Sequence, residues 1–233
     1  MAKAKREEQQ GVFIQPIKPR NLNQDKLLNS IKNNKIVFAI GSPGTGKTFC
    51  AMGAAIHALV NGQTDKIIII RPIVESGEKL GFLPGSFEEK IAPYLVPCFE
   101  ELQSFVSPAT FALMQKNHQI EVLPLAYARG RNLKDCYCVL DEAQNATEEQ
   151  IFMLLTRFTS SDENGTRTKM IIDGDGSQSD LPERLQGGLE FWANLLETMD
   201  DVDVIRFTEK DIVRDPIVRA IVERYNQHKT KGS

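Results

Sequence analysis

The chain has 233 residues, 41% of them hydrophobic and 25% charged, with a formal net charge of −3 and a pI near 5.7. That length supports one domain with a substantial core, and no apolar run approaches the 18 or so residues that a membrane helix needs. The acidic balance argues against broad, non-specific binding to duplex DNA, while a local basic groove still acts within a Debye length.

Residues 1–11 read as a disordered, mixed-charge tail, and the polar stretch 1–10 lacks the apolar core of a secretory signal. Short apolar strands are predicted at 36–40, 66–71, 120–123, 136–140, 168–172 and 203–207. Helices are predicted at 24–33, 48–60, 108–116, 148–158, 182–199 and 215–228. This alternation is the signature of an α/β fold with a parallel sheet flanked by helices. Residues 77–106 carry Pro84, Pro93 and Pro97 with three glycines; they read as an insertion, partly helical from Ser86 onward. Residues 160–168 read as an exposed polar loop. Cys50, Cys98, Cys136 and Cys138 lie within apolar or helical patterns and are expected to be reduced thiols. Trp192 is expected in the core, and the three histidines have neither metal nor triad spacing.

The first strand runs into Gly41-Ser42-Pro43-Gly44-Thr45-Gly46-Lys47-Thr48 and then a helix opening at Phe49. Strand, glycine-rich loop and helix in this order form a phosphate-binding loop. Its backbone N–H groups and helix N-terminus favour a polyphosphate; Lys47 would reach the β- and γ-phosphates and Thr48 would ligand Mg²⁺. Asp141-Glu142 closes the strand at 136–140. Asp141 suits the second Mg²⁺ role, and Glu142 stands where a general base can take a proton from water. The strand at 168–172 leads into Asp173-Gly174-Asp175-Gly176-Ser177-Gln178. Strand carboxyl ends carry the active sites of parallel sheets, so Gln178 is expected to sense the γ-phosphate, with Ser177 next in line and Asp175 a loop brace.

These segments resemble superfamily 1 helicase motifs: GSPGTGKT at 41–48, DEAQN at 141–145, and Gly174-Asp175 followed by Gln178. More narrowly, the chain resembles the PhoH-like ATPases over roughly residues 20–226. The carriers are Arg71-Pro72 through GEKLGFLPG at 77–85, ARGR at 128–131, LTR at 155–157 and DIVR at 211–214. The resemblance implies a RecA-like core over 12–233 with strand order 5-1-4-3-2, ATP binding and a helicase-like role in RNA metabolism. It also places the protein in the bacterial cytosol, including that of a phage-infected cell. Gln24 looks like the adenine-reading glutamine of helicase-type ATPases, whose amide pairs with N6 and N7.

Phosphoryl transfer calls for an arginine on the transition state, and this chain has no room for a second RecA-like half. The candidates are Arg157, projected across a subunit interface, and Arg214, acting in cis. Trans delivery implies a homo-oligomer, with a hexameric ring as the expected form. Arg71, Phe82, Tyr127, Arg129 and Arg131 are the candidate contacts to single-stranded RNA or DNA, by stacking and phosphate binding. Two functions remain open: a nucleic-acid-stimulated ATPase, and an ATP-gated oligomeric module with a protein partner. A small-molecule kinase is disfavoured by the lack of an Arg-rich lid segment.

Overall fold

The computed structural model describes residues 14–74, 87–159 and 167–213, with 217, 221 and 224 beyond them. The predicted tail, Phe82, the bulk of the 160–168 loop, Arg214 and most of the 215–228 helix lie outside the described residues. In chain order the elements are α1 (Leu22–Asn33), β1 (Ile36–Ile40), α2 (Lys47–Val60), β2 (Lys66–Arg71), α3 (Phe87–Gln103), α4 (Pro108–Lys116), β3 (Ile120–Pro124), β4 (Leu133–Lys134), β5 (Cys136–Leu140), α5 (Glu148–Leu155), β6 (Phe158–Thr159), β7 (Lys169–Gly174), α6 (Gly188–Leu196) and β8 (Val202–Arg206).

Six strands form one parallel sheet in the order β3-β2-β5-β7-β1-β8. Counted without β3, the remaining five run 5-1-4-3-2 in chain order, as in a RecA-like P-loop NTPase; β3 extends the sheet beyond β2. The side chains of each strand alternate between two cores, because successive Cβ atoms point to opposite faces. Val37, Ala39, Ile67, Ile69, Val139 and Ile171 pack under α1 to α4. Phe38, Ile68, Ile70, Cys138, Leu140 and Ile172 pack under α5 and α6. Burial on both faces explains why these strands read as continuous apolar runs.

The helix expected from Ser86 onward is present, and three other expectations need correction. The stretch from residue 87 is a helix of 17 residues with Pro93 and Pro97 inside it. Ile91, Leu95, Cys98 and Leu102 recur at helical spacing and are all buried, each contributing about 2 kcal/mol of apolar burial, which offsets the lost backbone bonds. The helix expected over 148–158 stops at Leu155, because Arg157 O accepts the Leu133 N–H at 2.9 Å and Phe158 then pairs in parallel with Leu133. The helix expected over 182–199 starts only at Gly188, after one 3₁₀ turn and a break at Gly187, φ 91°. A Cβ at Gly188 would lie 2.7 Å from Glu148 N, so the close seating of α6 on the start of α5 requires glycine there. Trp192 is half-buried rather than central: it stacks on Phe152 with centroids 5.6 Å apart and donates its indole N–H to Glu148 O.

Candidate active site

The carboxyl end of β1 turns through the glycine-rich loop into α2. Gly41 has φ 141°, and a Cβ there would lie 2.3 Å from Phe207 O; Gly46 has φ 83°, and a Cβ there would lie 2.4 Å from Gln24 Nε2. Both positions therefore require glycine. The loop is pinned by Gly41 N–H to Gly174 O, Val213 N–H to Gly44 O, and Thr45 Oγ1 to Ser42 O. The first N–H groups of α2 lack intrahelical partners and carry the positive end of the helix dipole, which suits an anion. Lys47 is buried and its Nζ donates to Gly41 O at 2.6 Å and Ser42 O at 2.9 Å. Burial lowers its pKa, against the pull of Asp173, Asp175, Glu142 and Asp141.

Opposite Lys47, β5 and β7 deliver the acids. Thr48 Oγ1 donates to Asp141 Oδ1 at 3.3 Å, so the two expected Mg²⁺ ligands are adjacent. Asp173 is 1% exposed, and neither carboxylate oxygen has a hydrogen-bond partner. Burial first, then Asp141, drives its pKa well up, with Lys47 pulling the other way. An orphaned carboxylate beside Thr48 and Asp141 fits a site that takes up a divalent cation with its nucleotide.

Glu142 sits at φ 56°, ψ 41°, a left-handed backbone that only a few per cent of non-glycine residues adopt. Its carboxylate is held from two sides. Arg71 Nη2 reaches Oε1 at 3.3 Å, and Gln144 Nε2 donates to Oε2 at 2.5 Å. Arg71 Nη1 also lies 3.4 Å from Asp141 Oδ2. Gln144 in turn accepts the Asp175 N–H at 3.0 Å, tying Glu142 to the loop after β7. From α3, Cys98 donates to Asp141 Oδ2 at 3.6 Å. Glu101 also lines the cavity; burial first, then Asp141, raises its pKa.

These groups enclose a cavity of about 290 Å³ between the loop and the acids, which Phe49 and Gln178 also line. Gln178 is exposed at its mouth, with its N–H bonded to Asp175 O. Asp175 accepts the Ser177 N–H and hydroxyl, the expected loop brace. A larger cavity of about 600 Å³ opens at the amino ends of the strands. Three of its cations are engaged there: Lys35 with Asp201, Arg167 with Asp65, and Lys169 with the Lys32 and Asn34 carbonyls. The phosphate chemistry belongs to the smaller one.

The other expected residues fall in three places. Arg157 lies beside β4 at the amino end of the sheet, a strand length of about 16 Å from its own phosphate loop. Tyr127 and Arg129 are exposed on the turn after β3, at the cavity's end of the sheet, while the exposed Arg131 lies further on, toward β4, and pairs with Glu121 near the amino end of β3. Arg71, an expected polymer contact, is ion-paired with Asp141 and Glu142.

Comparison with known proteins agrees with this geometry. A family profile described as PhoH-like protein matches residues 16–226. The chain belongs to the PhoH-like family. A PhoH-like protein of Mycobacterium tuberculosis (strain ATCC 25618 / H37Rv) is 45% identical over 93% of this chain and 60% of its own length. A PhoH-like protein of Bacillus subtilis (strain 168) is 43% identical over 91% of the chain and 64% of its own length. Protein PhoH of Escherichia coli (strain K12) is 35% identical over 91% and 58% respectively. The chain thus spans about six-tenths of the curated relatives it matches. PhoH-like proteins are P-loop ATPase-like, and the site is a nucleotide site of that kind.

Three contributors escaped the sequence reading of this PhoH-like chain. Gln144 lay inside the quoted DEAQN, and its spacing of two from Glu142 was the available signal. Glu101 gave none, because only tertiary packing of α3 brings it to the cavity. Asp211 lay in DIVR; its carboxylate accepts from Asn23, Thr208 N and Thr208 Oγ1, fastening the start of α1 to the chain after β8.

Gln24 is 3% exposed, and both ends of its amide are engaged: Nε2 donates to Thr45 O and Oε1 accepts from Arg20 N–H, each at 2.8 Å. It braces the phosphate loop. Gln24→Ala is expected to destabilise the protein by about 2 kcal/mol, since two backbone groups lose their partners. Thermal unfolding checks this, and the ATP-over-GTP affinity ratio of the same variant separately measures the adenine-reading role.

Proposed function

We propose that this chain hydrolyses ATP with Mg²⁺ and that single-stranded RNA or DNA stimulates the reaction within a ring-shaped homo-oligomer in the bacterial cytosol. The observation that carries the hydrolytic reading is the placement of Glu142. A carboxylate fixed by Arg71 and Gln144 at the edge of the phosphate cavity is positioned to take a proton from water. Lys47 and the N-terminus of α2 bind the β- and γ-phosphates. Thr48 and Asp141 would hold Mg²⁺, which neutralises phosphate charge when bound. Water oxygen then bonds to the γ-phosphorus while the bond to the β–γ bridging oxygen breaks. Glu142 takes the water proton, and ADP and phosphate leave. Arg157 is out of reach of its own cavity, so a role for it in this chemistry requires delivery from a neighbouring copy.

The polymer reading rests on the exposed Tyr127 and Arg129 at the cavity end of the sheet, with Arg131 exposed further along the same connection. The second reading, an ATP-gated module with a protein partner, is favoured by an exposed apolar face: Phe152, Phe191, Leu195 and Met199 are 43–54% exposed along α5, α6 and the turn that follows. Phosphate release from ATP with and without single-stranded RNA and DNA separates the two. Stimulation is expected to be several-fold at low salt and to decline as salt rises, because phosphate contacts release counterions. Turnover indifferent to both polymers overturns the first reading in favour of the second.

A further inference from the structure

The ion pair of Arg71 has a consequence for how the site is switched on. Arg71 ends β2, and β2 lies on the far side of β5 from the phosphate loop. Its guanidinium therefore approaches Asp141 and Glu142 from behind, and it does not line the nucleotide cavity. On its other flank Arg71 is in register with Pro124, the last residue of β3, which leads directly into the turn carrying Tyr127 and then Arg129. The end of β2 thus lies between the strand end that carries Glu142 and the strand end that leads into the exposed aromatic and basic turn. The Arg71 side chain is 21% exposed, so it is neither sealed in nor free in solvent. Burial opposes its charge, but Asp141, Cys98 and Glu142 together outweigh that and raise its pKa, so it stays a cation.

Arg71 occupies Oε1 of Glu142 and Gln144 occupies Oε2, so with both in place neither oxygen is free of a donor. Gln144 is itself held by Asp175, so Glu142 keeps a support when Arg71 moves away. We propose that Arg71 is a displaceable restraint on Glu142: a phosphodiester of single-stranded nucleic acid, bound across the carboxyl ends of β2 and β3, draws the guanidinium away and leaves the base held by Gln144 alone. The planar fork of arginine matches a phosphate as well as a carboxylate, so exchanging one anion for the other costs little. This inference rests on the polymer-stimulated reading for its trigger, though not for the restraint itself.

The test is steady-state ATP turnover of wild type, Arg71→Ala and Arg71→Lys, with and without polyuridine, poly(dT) and, as a source of the same anion without a chain, inorganic phosphate. In Arg71→Ala the basal kcat is expected to rise about fivefold, and ATP affinity is measured on the same variant because Arg71 also pairs with Asp141, the proposed Mg²⁺ ligand. Added polymer should then give no further gain. Arg71→Lys retains a point charge without the fork, so its basal rate is expected to lie between the other two and its stimulation to be reduced. An unchanged or lower basal kcat in Arg71→Ala, with ATP binding retained, overturns the restraint. If Arg71→Ala loses ATP binding, Arg71→Lys decides: a raised basal rate supports the restraint, and wild-type rates with wild-type stimulation overturn it. Stimulation by inorganic phosphate equal to that by polymer overturns the strand as trigger. A wild type indifferent to polymer beside a raised basal rate in Arg71→Ala sinks the polymer reading and leaves the restraint standing.

Discussion

Glu142→Gln is expected to lower kcat by about 10³-fold, within the range general-base removal produces, while ATP still binds. Glu142 lies at the cavity edge, whereas the groups that would grip the phosphates, Lys47 and the start of α2, are untouched by the change. The amide cannot take the water proton, so the loss falls on kcat. The substitution is not structurally silent. Glu142 accepts from two donors, Arg71 and Gln144, and glutamine has one acceptor oxygen to offer them. Gln144 cannot simply flip, because its own oxygen is committed to Asp175 N–H. One donor is left unpaired, at a cost of about 1 kcal/mol in stability. Phosphate release, ATP affinity and thermal unfolding on the same preparation check all three parts. Turnover within a few-fold of wild type would remove Glu142 from the role of base.

The phosphate loop, its strand and its helix were legible because their constraints are local. Glycine at 41 and 46, a lysine at 47 and a hydroxyl at 48 sit within eight residues of one another, and the loop conformation demands them regardless of the rest of the chain. The acidic pair was legible for a related reason: it ends a strand whose apolar run marks it as buried. What escaped depends on which strands are neighbours. Arg71 reads as a basic residue after an apolar run, a fair candidate for a polymer contact, until β2 is placed beside β5 and its guanidinium meets Asp141 and Glu142. Glu101 and Cys98 belong to a helix whose two prolines argued against a regular element. Burial of Ile91, Leu95, Cys98 and Leu102 on one face outweighs that local preference. The pairing of β4 with β6 involves two residues on each side, too few to leave a periodic signal, and it shortened a helix that seemed to continue to Phe158.

The exposed face on α5 and α6 shows a different limit. Trp192 carries the spacing of a core residue, yet only part of it packs against the core, and its ring stacks on the exposed Phe152. Hydrophobic periodicity reports which side of a helix is apolar, and it does not report whether this chain or a partner covers that side.

Lys47→Ala is expected to abolish ATP binding and to destabilise the nucleotide-free protein as well, by about 3 kcal/mol or about 9 °C in Tm. The second effect follows from the acids. Lys47 is the buried cation that faces Asp173, Asp175, Glu142 and Asp141, and Asp173 has no hydrogen-bond partner of its own. Without Lys47 the acids facing it, Asp173, Asp175, Glu142 and Asp141, lose their shared counter-charge, which costs folding energy. The carbonyls of Gly41 and Ser42 lose their donor at the same time. Asp173→Asn added to Lys47→Ala should recover about 2 kcal/mol by removing the stranded acid, and it should not restore ATP binding, since the phosphate contact is still missing. The two residues are coupled, so the separate changes should fail to add in a double-mutant cycle. Thermal unfolding of the wild type, the two single variants and the double variant measures that coupling. Strict additivity would mean that Lys47 stabilises the loop through its carbonyl contacts alone.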